Sequence, residues 1–162
     1  MNRIYILICL CILALTTSAQ QPFIIAENGK VSPIIIDRHD WKGVSRAADD
    51  LADDIRKVTG TKAEVVIGKM PKNGSIIVGT IGKSKQIDAL IVKHKIDVSQ
   101  VRGQWESYLI DLVDGNLVIA GSDKRGTIYG IYEISKKIGV SPWYWWADVP
   151  VHHQDCLYYT DG

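Results

Sequence analysis

The sequence predicts an α/β sandwich: a mixed β-sheet with helices packed against it, from the class in which strands and helices alternate along the chain. Three observations carry this. Two segments, around Val44–Val58 and Ile128–Ile138, repeat apolar residues at helical spacing. Short runs rich in β-branched residues stand between and before them, bounded by Gly, Pro, Asn and Asp. Asp114-Gly115 joins two such runs directly, so antiparallel pairing is mixed into an alternating order.

Phe23–Ala26 and Pro33–Ile36 read as short strands around the turn-rich step Glu27-Asn28-Gly29-Lys30. Trp41, Val44, Ala48, Leu51, Ile55 and Val58 then form one face of a helix that Gly60 ends, with Asp40 as its expected N-cap. Ala63–Ile67 and Ser75–Gly79 read as strands joined by the loop Gly68–Gly74, and Lys83–Lys93 as a helix. The hairpin pairs Glu106–Val113 with Asn116–Ala120. Ser122–Ile138 is the next helix, stopped by Gly139 with Pro142 beyond. Trp143-Tyr144-Trp145-Trp146 reads as an aromatic strand, and Val151–Thr160 as a second alternating one. The chain stops in a turn, Asp161-Gly162, which reads as the middle of a longer plan.

The first residues are not part of this fold. Met1–Arg3 is a short basic start, Ile4–Leu15 an apolar run, and Thr16–Ala19 a small-residue stretch, which together make a secretory signal peptide. The run is a dozen residues, and a membrane span takes about 20. Removal of residues 1–19 takes away one charge, Arg3, so the net charge of +1 becomes zero. A neutral chain without a basic block argues against nucleic acid and anionic membrane as partners. Cys156 is then the only cysteine left, so no internal disulfide forms and stability rests on packing. The expected location is secreted or periplasmic.

Two constellations carry chemistry. Gly121-Ser122-Asp123-Lys124-Arg125-Gly126-Thr127 lies between strand and helix. A helix N-terminus offers unpaired N–H groups and partial positive charge, and Lys124 and Arg125 add to it, so it suits a carboxylate or phosphate. Equally, Ser122 or Asp123 caps the helix and the cations pair with surface acids. The order of Gly, Lys and Ser/Thr does not match a phosphate-binding loop. In the aromatic block, rings that stack on the C–H faces of sugars also serve core or inter-domain packing. His152-His153-Gln154-Asp155-Cys156 has no zinc-site spacing, and no nucleophilic triad is visible. Asp123, Glu133 and Asp148 lie near these segments, but nothing pairs them as the two carboxyl groups that a glycosidase needs.

The run from Gly121 to Val151, Gly-Ser-Asp-Lys-Arg-Gly-Thr-Ile-Tyr-Gly-Ile-Tyr-Glu and then Ile-Gly-Val-Ser-Pro-Trp-Tyr-Trp-Trp-Ala-Asp-Val-Pro-Val, resembles the N-terminal region of glycoside hydrolase family 115, the xylan α-1,2-glucuronidases. The resemblance implies an α/β domain like the one preceding the barrel in β-hexosaminidases and the other α-glucuronidase family. It implies residues 20–140 as that domain and 141–162 as the start of a truncated (β/α)8 catalytic barrel, with Trp143–Trp146 as its first strand. The family's catalytic carboxylates fall in barrel segments past Gly162, so no catalytic residue is carried over and the fragment is expected to be inactive alone. Asp123, Lys124, Arg125, Trp145, Trp146 and Asp148 carry over as substrate-binding or domain-junction candidates. The implied reaction removes glucuronic or 4-O-methylglucuronic acid from xylan side chains without cofactor or metal. The implied partners are a xylan-type polysaccharide or oligosaccharide and the missing barrel. The alternative is a self-standing carbohydrate-binding or scaffold module.

Export should produce a mature chain that begins at or near Gln20; the intact mass of the secreted protein tests this, and retention of Met1 or Cys9 would refute it.

Overall fold

The computed structural model describes residues 21–69, 72–147 and 149–160, with Trp145 and Trp146 described by backbone alone. The expected signal peptide, residues 1–19, lies outside the described residues. Strand β1 (Phe23–Glu27) turns through Asn28 and Gly29, both at positive φ, into β2 (Lys30–Val31). β3 (Ile34–Ile36) leads to helix α1 (Lys42–Thr59), and β4 (Val65–Ile67), β5 (Ile76–Thr80) and α2 (Lys85–Val92) follow. β6 (Tyr108–Val113) and β7 (Asn116–Gly121) form the hairpin, with Asp114 at φ 49° and Gly115 at φ 74° as the tight turn requires. Then come α3 (Lys124–Lys137), a single turn α4 (Tyr144–Ala147) and β8 (Cys156–Tyr159).

These strands form two sheets, not one. The larger has the order β4-β3-β5-β7-β6, with β4, β3, β5 and β7 parallel and β6 antiparallel to β7. It is the mixed sheet that the Asp-Gly turn predicted. The smaller is antiparallel, β2-β1-β8.

Side-chain alternation divides the core. Ile76, Val78, Leu117 and Ile119 face one way and pack with Val44, Leu51 and Ile55 of α1 and Ile131 and Ile134 of α3. Ile77, Val118 and Ala120 face the other way and meet Ile87 of α2, with Ile96 and Val98. The small sheet closes over the first of these clusters through Phe23, Ile25, Leu157 and Tyr159. Ile25 and its neighbour Ala26 are both buried because the β1–β8 register shifts between Ile24 and Ala26.

Helix α3 comes unusually close to the sheet, and glycine permits it. A Cβ on Gly121 would collide with the backbone of Thr127, and one on Gly126 with the carbonyl oxygen of Ser107. A Cβ on Gly130 would stand 2.7 Å from Cγ2 of Ile119. The helix thus lies on β6 and β7 along its Gly126–Gly130 side.

The aromatic segment is not a strand. Tyr144–Ala147 is helical, and Trp143 before it is a turn residue whose side chain is 65% exposed. Ser141 and Pro142 explain the difference: Ser141 Oγ accepts from the Trp143 N–H at 3.1 Å, and proline suits the first position of a helical turn. β8, within the alternating run Val151–Thr160, pairs with β1, Leu157 opposite Ala26 and Tyr159 opposite Phe23.

Gly126→Ala should destabilise the domain by about 1–3 kcal/mol, because the obstructing atoms are backbone and cannot rotate away. Gly43→Ala, in the first turn of α1 with Ile128 Cδ1 at 3.4 Å, should be neutral or stabilising by up to about 1 kcal/mol. Denaturant unfolding of the two variants should therefore move in opposite directions or show a clear gap.

Candidate functional site at the carboxyl edge of the sheet

The parallel strands β3, β5 and β7 all end at one edge, where ligands of open α/β sheets usually bind. Asp37 follows β3, Thr80 ends β5 and Gly121 ends β7. Three carboxylates stand here, and each is spent on holding a loop. Asp37, 6% exposed, accepts from the His39 N–H at 2.8 Å, the His39 ring Nδ1 at 2.9 Å and the Lys85 N–H at 3.1 Å. Burial pushes its carboxyl up, but these donors outweigh burial and hold it below the usual carboxylate range.

Asp40 does not cap α1, whose N-cap position is Trp41, without a side-chain bond. Its carboxylate accepts from the Trp41 N–H at 2.7 Å, and reaches across the sheet to the Thr80 N–H at 2.7 Å and the Thr80 hydroxyl at 2.8 Å. A lone acid before a helix suggests a cap; here a strand end with a free N–H and a hydroxyl outcompetes the helix. Thr80 Oγ1 in turn meets Thr127 Oγ1 at 2.8 Å in the interior, and Thr127 lies 2.9 Å from the Asp123 carbonyl oxygen. The Thr80 proton goes to the carboxylate, which can only accept, so Thr127 donates to Thr80 or to the Asp123 carbonyl.

Asp123 is the N-cap of α3. Oδ1 accepts from the Gly126 N–H at 2.7 Å and Oδ2 from the Glu106 N–H at 3.0 Å. The Gly126 N–H first, then that of Glu106, holds the carboxyl below its usual range. The helix N-terminus is therefore occupied by its own carboxylate. Ser122 does not cap; its Oγ accepts from the Ser107 N–H at 3.1 Å and ties β7 to the start of β6. Arg125 pairs with Glu106 at 2.7 Å and donates to the Tyr129 hydroxyl at 2.9 Å. Lys124 is exposed beside it.

Asp123, Lys124 and Arg125 thus share this edge. Trp145 and Trp146 fall in α4 and are described by backbone alone, and Asp148 lies outside the described residues. The sequence marks Asp40 as a cap and Thr127 as the end of the Gly-rich run but gives Thr80 no role; a threonine closing the run Ile-Ile-Val-Gly-Thr was the available signal. Chemically the edge is a brace. A glycosidase general acid needs a raised pKa, and Asp37 and Asp123 are shifted the other way. Among the described residues no three His, Cys, Asp or Glu side chains group as metal ligands. His153 only pairs with Asp155, at 3.1 Å on the surface.

Residues 25–134, more than half of the chain, match the family described as Glycosyl hydrolase family 67 N-terminus. The chain belongs to that family. The fold of this family 67 N-terminal domain is similar to part of a solved structure described as a novel family GH115 4-O-methyl-α-glucuronidase, BtGH115A, with specificity for decorated arabinogalactans. The two share 36% identity at a TM-score of 0.69, over 83% of this chain and 17% of that one. The likeness to family 115 rests on this structure, whereas the family match is to family 67. No curated protein matches the chain.

Asp123→Ala should cost the family 67 N-terminal domain about 1 kcal/mol through the lost cap. A carboxyl held low in the folded state stabilises fully above the unfolded value of about 3.9, and that contribution fades as pH falls through the folded value. The gap in Tm between wild type and variant should therefore be constant from about pH 6 to 8 and shrink below about pH 4. A pH-independent gap would show that the charge contributes nothing.

Proposed function

We propose that this domain is the N-terminal accessory part of a secreted or periplasmic glycoside hydrolase that removes glucuronic or 4-O-methylglucuronic acid from polysaccharide side chains. In this reading it is inactive alone and acts beside a catalytic (β/α)8 barrel of the same polypeptide. Membership of the family 67 N-terminal domains carries the reading, with the similarity to a 4-O-methyl-α-glucuronidase as its second support. The chain spans 17% of that enzyme's length, so the proposal assigns the chemistry to the remainder. The local geometry agrees with an accessory role, since the carboxyls of the sheet edge bind backbone N–H groups.

The junction with the barrel is proposed to follow β8, because β8 completes the small sheet with β1. Xylan carrying glucuronic acid is the proposed substrate. The solved relative's described specificity for decorated arabinogalactans favours a second reading, in which the backbone is a galactan and the same uronic acid leaves.

The full polypeptide carrying this domain should release free glucuronic or 4-O-methylglucuronic acid, measured by chromatography, from glucuronoxylan or from glucuronic-acid-decorated arabinogalactan. The 162-residue chain should release none. No release from either polymer by the full polypeptide would overturn the reading.

A further inference from the structure

We infer that the carboxyl edge carries a non-catalytic binding surface for a glycan chain bearing uronic acids. Two tryptophans that the core does not use stand on this edge. Trp105 is 86% exposed and precedes β6, whose Tyr108 pairs with Gly121 at the end of β7. Trp41 is 43% exposed and ends the loop leaving β3. In the strand order the end of β3 and the start of β6 are separated by three steps of about 4.8 Å, so the loops that carry the two tryptophans stand on the order of 15 Å apart, long enough for a short run of sugars. Indole faces stack on the C–H faces of sugar rings.

The exposed charged side chains beside them are cations. Lys42, Lys83, Lys124 and Arg125 are all exposed here. Lys83 lies over the Trp41 ring at 4.5 Å from its centre, which places a cation directly beside one platform. The acids of the edge are turned inward: Asp37, Asp40 and Asp123 grip N–H groups, and Glu106 is matched by Arg125. Lys42 opens α1, and Lys124 and Arg125 open α3 beside the Asp123 carboxylate that caps it. The mature chain is neutral, so this cationic rim is a local feature and not a general polycation that would suit nucleic acid. Aromatic platforms with flanking cations match a sugar chain whose charge is carboxylate. The substrate class rests on the proposed function, but the surface is separate from any catalytic centre.

Affinity electrophoresis of the 162-residue chain through gels containing glucuronoxylan, or the same polymer with its carboxyls reduced to alcohols, tests this. The chain should be retarded by glucuronoxylan, with the reduced polymer binding about tenfold more weakly. Trp105→Ala should weaken binding by about fivefold or more, and the pair Lys124→Ala with Arg125→Ala by about tenfold, with Tm confirming that each variant folds. Retardation should also fall as salt rises. Absence of retardation, or retardation indifferent to these substitutions, would overturn the inference. Loss of Trp105 exposure in the full polypeptide, read by fluorescence quenching with acrylamide, would equally overturn it by showing a domain interface. Uronic acid release by the full polypeptide without retardation sinks the surface alone. Retardation without release sinks the catalytic reading and leaves the surface standing.

Discussion

The hydroxyl of Thr80 sits at the one point where three strand ends of the large sheet are tied together. It donates to Asp40 in the loop after β3, and it meets Thr127 in the first turn of α3, which follows β7. Each partner is itself fixed: Asp40 also holds the Thr80 N–H, and Thr127 sits beside the carbonyl of the cap residue Asp123. Thr80, Thr127 and Asp37 are buried, so an acceptor or donor left unmatched here would cost about 1–3 kcal/mol each. Removing one member of the network therefore costs more than the single bond it makes.

That brace depends on how close α3 can come. Thr127 reaches Thr80 only because Gly121 lets the helix backbone pass over the end of β7, and Gly126 lets it pass the Ser107 carbonyl. The sequence Gly-Ser-Asp-Lys-Arg-Gly-Thr is thus explained by packing at its glycines and by capping at its aspartate. Arg125 is matched at the surface by Glu106 and Tyr129, and Lys124 stands exposed beside it. A string that resembles a family motif therefore divides into a scaffold part and a solvent-facing part, and the two answer to different constraints.

Much of this was legible in the residues. α1 and α3 are long and strongly periodic, and Asp114-Gly115 permits the positive φ angles that the hairpin adopts, so these elements follow from local physics. Positions that depend on distant partners were not legible. Asp40 looked like a helix cap because its true partner, Thr80, lies forty residues away and only sheet order brings it near. β8 pairs with β1 from the other end of the chain, so its alternation said strand but not to which sheet it belongs. At Trp143–Trp146 the β propensity of aromatic rings pointed to a strand, while Ser141 and Pro142 impose a helical turn. Of the six candidate positions, the three on α3 and its cap came together as a unit, because one helix start holds them.

The electrostatic design of the edge follows from the same economy of donors. A loop that must turn sharply after a strand leaves N–H groups that water cannot reach, and a carboxylate is the strongest small acceptor for them. Asp37, Asp40 and Asp123 fill that role, and because their oxygens are matched inside, little of their charge is offered to solvent. Cations added outside them then face water without near opposites, apart from Arg125 beside Glu106. A chain whose net charge is only +1 can in this way present a local row of cations, with Trp41 and Trp105 on the same edge. The inward acids hold the loops, whereas Lys42, Lys124 and the Trp105 indole stand exposed, and that asymmetry separates the stabilising part of this edge from the part available for recognition.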